Sequence, residues 1–159
     1  MTTSTNGLML ATDKVKLNAL GSSRIRAATS SEITLPGSSY VDLIYNVEEQ
    51  DALSEYNPST GVFIPAAAGT YIVNIQASVL GYSSVAQNQL VIRMVDSSNA
   101  VIRRVVEAHH APAAGMTLVA TMLINLTAGV SYRFQLFSAV SCRVGADSTA
   151  SRLEIARLF

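Results

Sequence analysis

The chain has 159 residues, of which 49% are hydrophobic and only 14% are charged. This length suits one compact domain with a core of its own and leaves no room for a second full domain. Charged residues usually make up about 25% of a soluble domain, so their deficit here indicates that self-association hides part of the surface. Eleven basic and eleven acidic residues cancel, and the arginines are spread along the chain, which disfavours nucleic-acid binding.

No segment of the chain has the composition of a signal peptide or of a membrane span. Residues 1–20 lack a sufficiently long apolar run, and no segment approaches the roughly 20 apolar residues of a spanning helix. We therefore expect neither export by the general secretory route nor membrane insertion. The single Cys142 has no partner for an intrachain disulfide, and we interpret it as a small buried hydrophobic residue.

Residues 1–36 are rich in Ser, Thr and Ala without a sustained strand pattern, so we interpret them as a stalk or attachment segment. Thr12 is placed to cap a short helix that ends at Leu20. Leu10, Leu17 and Leu20 would then share one face, and we predict that they meet around the axis of a trimer. A seam shorter than two heptads is too short to hold the chains together by itself, so the domain that follows must contribute.

From Tyr40 onward the pattern changes to the alternation of apolar and polar residues that is typical of β-strands. Strands are predicted at 41–46, 62–64, 71–79, 89–95, 101–108, 116–126, 132–138 and 151–159. Turn residues separate them at 57–61, 96–99 and 127–129. Without amphipathic crossover helices a parallel α/β fold is disfavoured, and we predict an all-β jelly-roll sandwich of about eight to ten antiparallel strands.

Three segments resemble C1q-like domains in the order that this family shows. The segment from Tyr56 to Tyr71 contains Tyr-x-Pro-x-Thr-Gly-x-Phe, then a proline, then Gly-x-Tyr. Residues 118–134 enclose a Leu-Thr-Ala-Gly turn, and residues 148–155 begin with Ser-Thr-Ala-Ser. The resemblance covers about residues 40–159, so we assign residues 37–159 to a C1q/TNF-like jelly-roll domain.

The resemblance implies a tight homotrimer in which a mainly apolar face of each domain lines the axis. We predict Phe134, Leu136 and Phe137 for that face. A place in the core of a single chain is an equally good interpretation for each of these three residues.

Residues 7–18 read Gly-Leu-Met-Leu-Ala-Thr-Asp-Lys-Val-Lys-Leu-Asn. They resemble the Gly-Leu-Met-x-x-x-Asp-Lys-x-Lys-Leu-Asp element of bacteriophage tail fibres and appendages. No collagen-like Gly-x-y repeat precedes the domain, which argues against an animal complement protein or a bacterial spore hair. We therefore predict a non-enzymatic phage virion protein, either a tail fibre or receptor-binding tip, or a head fibre or capsid decoration.

In this hypothesis residues 1–36 bind other virion proteins, and the domain on the particle surface faces a host-cell receptor or glycan. The alternative is a bacterial C1q-like lectin or adhesin that binds a glycan or a protein. Tyr82 is the one aromatic residue in a clear loop, and it is the only candidate ligand contact that the sequence offers.

Candidate metal ligands are few, and no catalytic motif is present. His109 and His110 point to opposite sides of an extended chain, so they would share a metal only as several copies around an axis. Glu48, Glu49 and Asp51 lie in an acidic loop that could hold Ca²⁺, but the spacing of a dedicated calcium loop is missing. Polar, solvated loops are the simpler interpretation, and we expect no catalytic site and no cofactor.

Overall fold

The computed structural model describes residues 23–81, 88–109 and 115–159, with the backbone alone at 88 and 106–109. These residues form thirteen β-strands and no helix. The strands are β1 (Arg24–Ala28), β2 (Ile33–Leu35), β3 (Ser39–Asp42), β4 (Val47–Asp51), β5 (Tyr56–Asn57), β6 (Val62–Phe63), β7 (Gly69–Leu80), β8 (Asn88–Asp96), β9 (Val101–His109), β10 (Met116–Leu126), β11 (Tyr132–Ser138), β12 (Cys142–Val144) and β13 (Arg152–Arg157).

The strands form two antiparallel sheets that enclose one core. The larger sheet has seven strands in the order β2-β12-β7-β13-β1-β4, with β10 paired to the other edge of β7. The smaller sheet has six strands in the order β5-β6-β11-β8-β9, with β3 also paired to β11. The all-β sandwich is therefore confirmed. The structure has more strands than predicted because β1, β2, β4, β5 and β12 are too short to show a clear alternation.

The core lies between the sheets and follows the alternation along β7. Its inward residues Tyr71, Val73 and Ile75 are completely buried, while the intervening positions face away from the core. From the smaller sheet, Phe134 and Leu136 of β11 are completely buried on the opposite side of the same core. The prediction that these two side chains line a trimer axis is wrong, because the core of their own chain encloses them.

The sandwich begins before the predicted boundary between residues 36 and 37. β1 pairs with both β13 and β4, and β2 pairs with β12. Ile25 and Leu35 are fully buried in the core. The predicted boundary is therefore wrong, because residues 24–35 gain their strand structure from neighbouring strands rather than from their own composition. The predicted helix with Leu10, Leu17 and Leu20 lies outside the described residues.

The buried carboxylate of Glu55 links the residue before β1 to the segments that precede β5 and follow β6. The Ser23 hydroxyl donates to Glu55 Oε2 at 2.7 Å, and the Ala66 N–H donates to Glu55 Oε1 at 2.6 Å. The Glu55 side chain is only 4% exposed, and both of its oxygens accept hydrogen bonds. A buried carboxylate with such partners links three segments that are distant in sequence.

We predict that Glu55→Ala lowers the free energy of unfolding by about 3 kcal/mol, because it removes two hydrogen bonds to a buried carboxylate, one of them from the buried Ser23 hydroxyl. Urea denaturation, monitored by circular dichroism, measures this loss in the free energy of unfolding. Glu55→Gln is the matched control, since its amide keeps an acceptor and a donor in place and should cost about 1 kcal/mol. An alanine variant as stable as the native chain would contradict the role of this carboxylate.

Two buried tyrosines cross-link the core at the end of β3. The Tyr45 N–H donates to the Tyr56 hydroxyl at 3.0 Å, and the Tyr45 hydroxyl donates to the Gln76 carbonyl at 3.0 Å. Burial raises the pKa of Tyr56 to about 12 and the pKa of Tyr45 well above its usual value. Because the folded-state pKa values exceed the unfolded ones, both phenols stabilise the fold fully below the unfolded pKa.

Stability should therefore fall as the pH rises from about 10 through about 12, where the unfolded chain releases phenol protons that the folded chain retains. We expect Tyr56→Phe to show a shallower decline over this window, because one such phenol is gone. Urea denaturation at a series of alkaline pH values measures the slope. Equal slopes for the native chain and the variant would contradict the assignment.

Candidate subunit interface

The outward face of the larger sheet carries apolar side chains that no part of the described chain covers. Leu123 of β10 lies opposite Ile72 of β7, and Ile72 lies opposite Ala156 of β13. These three residues are called the apolar row below. Leu123 is 60% exposed and Ile72 is 37% exposed. Val119 is 53% exposed on the same face of β10, and Thr121 separates it from Leu123.

The next residues along the same face are polar and lie opposite one another across four strands. Thr121 donates to the Asn74 amide oxygen at 3.3 Å. Asn74 lies opposite Glu154, and Glu154 lies opposite Arg26 of β1. A shallow groove of about 300 Å³ runs between these side chains and the apolar row.

Most charges on this face pair within the chain, whereas Arg24, which lies opposite Ala156, is exposed and has no carboxylate partner among the described residues. Arg26 Nε lies 3.4 Å from Glu154 Oε1, and Arg26 Nη2 lies 3.7 Å from Glu49 Oε2. Arg152 donates to the same Glu49 oxygen at 2.6 Å. Two arginines and two glutamates therefore form a neutral network that a partner surface can cover without stranding a charge.

This arrangement is suited to packing rather than to catalysis. Burying a leucine or isoleucine side chain stabilises an assembly by about 1.5–3 kcal/mol, so three symmetric copies of the apolar row would contribute substantially. The sequence contains a weak signal for it, because the outward positions of β10 include Val119 and Leu123 among polar residues, and exposed strand positions are usually polar. The interface residues predicted for the domain all lie in β11, and Leu123 and Ile72 were not among them.

Phe137, the third residue predicted for the trimer axis, lies on the outward face of the smaller sheet. Its ring centroid is 5.2 Å from that of Tyr40, and its side chain is half-buried. It is therefore remote from the apolar row, which lies on the other sheet. Its place in an interface stays a prediction.

The predicted acidic loop is strand β4, and its carboxylates have partners of their own. Glu49 binds Arg152, while Asp51 accepts hydrogen bonds from the N–H groups of Leu53 and Tyr56 at 3.2 and 2.7 Å. Glu48 is exposed on the same strand. In the part of the chain that the structure describes, no three His, Cys, Asp or Glu side chains are close enough together to hold a metal ion.

Two of the remaining predicted site residues lie outside the described part of the chain, and a third is described by its backbone alone. The backbone of His109 pairs with Asn88 at the end of β9, and its side chain is not described. His110 and Tyr82 lie outside the described residues. Cys142 is 5% exposed, as expected for a buried hydrophobic residue, and burial raises the pKa of its thiol. No helix among residues 23–81, 88–109 and 115–159 is long and apolar enough to cross a membrane.

Solved structures with this arrangement of two sheets include TNF and C1q domains. The chain superposes on Eiger TNF from S. frugiperda with a TM-score of 0.63 and 13% identity, covering 86% of this chain and 92% of that one. The globular domain of zebrafish complement 1qA gives a TM-score of 0.58 and 12% identity, covering 86% and 98%. The fold is a TNF/C1q-like jelly roll.

Murine APRIL, a further example of the TNF/C1q-like jelly roll, gives a TM-score of 0.61 and 9% identity, covering 86% of this chain and 98% of that one. No protein-family model matches the chain, and no curated protein sequence matches it. The fold predicted from the three segments that resemble C1q-like domains is thus confirmed by structure. At these low sequence identities the similarity shows the fold alone.

We predict that Leu123→Asn prevents self-association without unfolding the chain, because it places a polar amide in the apolar row and removes an exposed side chain. Light scattering measures the mass, and circular dichroism checks the fold. Leu53→Asn is the matched control, since Leu53 is 41% exposed in a turn away from this face. A Leu123→Asn variant that assembles like the native chain would rule out the apolar row as the contact.

Proposed function

We propose that the chain is a non-enzymatic structural protein of a bacteriophage particle, assembled as a homotrimer through the outward face of its larger sheet. The apolar row on a TNF/C1q-like jelly roll is the observation that carries the proposal. It places exposed Leu123 and Ile72 beside a neutral ion-pair network, which is the chemistry of a surface that becomes buried.

A trimer fits this surface because the apolar row lies at one edge of the sheet rather than at its centre. Among the described strands β10 pairs only with β7, so no described strand lies along its other edge. A ring closes when one patch on each subunit meets a different patch on the next, and an edge next to a face offers two such patches. The small share of charged residues, 14%, supports burial of a further part of the surface.

The resemblance of residues 7–18 to a tail-fibre element supports a place on a phage particle. The sandwich begins at β1, so the attachment role that was predicted for residues 1–36 falls to the residues before Arg24. In this proposal those residues bind another virion protein. The jelly roll then projects from the particle, which is assembled in the host cytoplasm, and presents loops to a host-cell receptor or glycan.

Absence of catalysis is part of the proposal. The most enzyme-like contact among the described residues is the hydrogen bond from Ser23 to Glu55, and both oxygens of that carboxylate are already occupied in a buried site. A serine held there has no access to a substrate. The alternative of a bacterial lectin or adhesin shares the fold and differs in where the protein is found.

The test has two arms. Light scattering should give three times the chain mass both for the complete chain and for a chain that begins at Ser23, because the jelly roll carries the contact. Mass spectrometry of gradient-purified particles from the source should find the protein on the virion at a constant ratio to capsid or tail proteins. A monomer in both chains would refute the trimer, and a trimer found on cells instead of particles would favour the adhesin.

A further inference from the structure

The outward face of the smaller sheet carries one continuous polar row. Asp42 of β3 lies opposite Gln135 of β11, Gln135 lies opposite Arg93 of β8, and Arg93 lies opposite Arg104 of β9. All four point away from the core, since the residues on either side of Gln135 are fully buried within it. We call these four residues the polar row.

Hydrogen bonds along the polar row orient the Arg93 guanidinium. Gln135 Nε2 donates to Asp42 Oδ1 at 2.7 Å, which fixes the direction of the amide. Gln135 Oε1 then accepts from Arg93 Nε at 2.8 Å. The carbon of the guanidinium lies 3.4 Å from the centre of the Tyr40 ring, so the ring supports its face. Arg93 is thus held by an amide on one side and a ring beneath.

The two ends of the polar row differ in charge balance. Asp42 is satisfied, because its second oxygen accepts from Arg133 at 3.2 Å. Arg93 and Arg104 are directly opposite each other, and no carboxylate among the described side chains pairs with either of them. Like charges directly opposite each other across two strands destabilise a sheet. The row therefore ends in two arginines at directly opposite strand positions, Arg93 half-buried with an oriented guanidinium and Arg104 exposed.

We propose that Arg93 and Arg104 form a binding site for an oxyanion, a carboxylate or a phosphate group carried by a ligand. The free terminal N–H groups of an oriented guanidinium match the paired oxygens of such groups. Because Gln135 and Tyr40 already hold Arg93, little further ordering is needed on binding. Arg104 supplies the second charge, and the anion removes the repulsion between the two arginines.

This inference goes beyond the proposed function and does not depend on it. The polar row lies on the smaller sheet, whereas the apolar row lies on the larger one, so the site stays open after assembly through the apolar row. On a phage particle it would give the receptor contact a definite chemistry, namely a surface polymer that carries carboxylates or phosphates. In a monomer the same two arginines would bind the same groups.

The complete chain is titrated with inorganic phosphate and with glucuronate at constant ionic strength, and NMR follows the arginine side-chain signals. Chloride and glucose are the reference solutes. Saturable shifts of the Arg93 and Arg104 signals with phosphate alone, or with glucuronate alone, identify the oxyanion that the site prefers. No saturation with either solute up to about 50 mM, or equal shifts with chloride, would overturn the proposal.

Arg104→Gln should weaken binding at least tenfold, because it removes one of the two charges while the exposed position tolerates the change. Arg103→Gln is the matched control: it removes the same charge from the adjacent residue, which lies opposite Met94 and so belongs to the other face of β9. Its affinity should stay within twofold of that of the native chain. Equal affinities of the two variants would refute the site, and their masses by light scattering report on the trimer separately.

Discussion

The structure depends on the register of β7, the strand that joins most of the larger sheet. β7 hydrogen-bonds to β10 along one edge and to β13 and β12 along the other. If β7 shifted by one residue against its neighbours, Tyr71, Val73 and Ile75 would face the solvent. The core is therefore compatible with only one register of β7. The Tyr71 ring also packs edge-on against Phe63 of the smaller sheet, with centroids 5.8 Å apart, which ties the two sheets together.

The same register decides what the outward face of the larger sheet presents. Ile72 follows Tyr71 and must face away from the core, and its partners across the sheet are then Leu123 and Ala156. The register of β7 therefore fixes both the residues of the core and the residues of the candidate interface. A substitution that keeps the inward face of β7 and β10 can change the apolar row independently, which is why assembly and folding can be separated by experiment.

The two sheets use most of their few charges in different ways. On the larger sheet, Arg26 and Arg152 are balanced by Glu49 and Glu154, and Arg24 beside the apolar row is an exposed arginine without a carboxylate partner among the described residues. On the smaller sheet a chain of hydrogen bonds ends in arginines without a carboxylate partner among the described residues. Neutralised charge suits a surface that is covered, since an unpaired buried charge is costly, whereas oriented and unpaired charge suits a surface that stays open to a ligand.

The sequence by itself determined the long strands, because their alternation of apolar and polar residues extends over several two-residue periods. The predicted bounds 116–126 and 132–138 coincide with β10 and β11, and Gly61 and Gly129 adopt the positive φ that the predicted turns require. It also determined the sandwich, since strands of this length bounded by turns have few other ways to bury one face.

Only the tertiary structure decided the short strands and the roles of individual side chains. β1 and β2 have too few residues to show a period, and their pairing with β13 and β12 decides their conformation. Phe134 and Leu123 are both large hydrophobic residues within a predicted strand. Only the packing of the two sheets against each other places Phe134 in the core and Leu123 on the outside. Arg93 and Arg104 become neighbours through the register of β8 and β9, a relation between strands that no single-strand pattern contains.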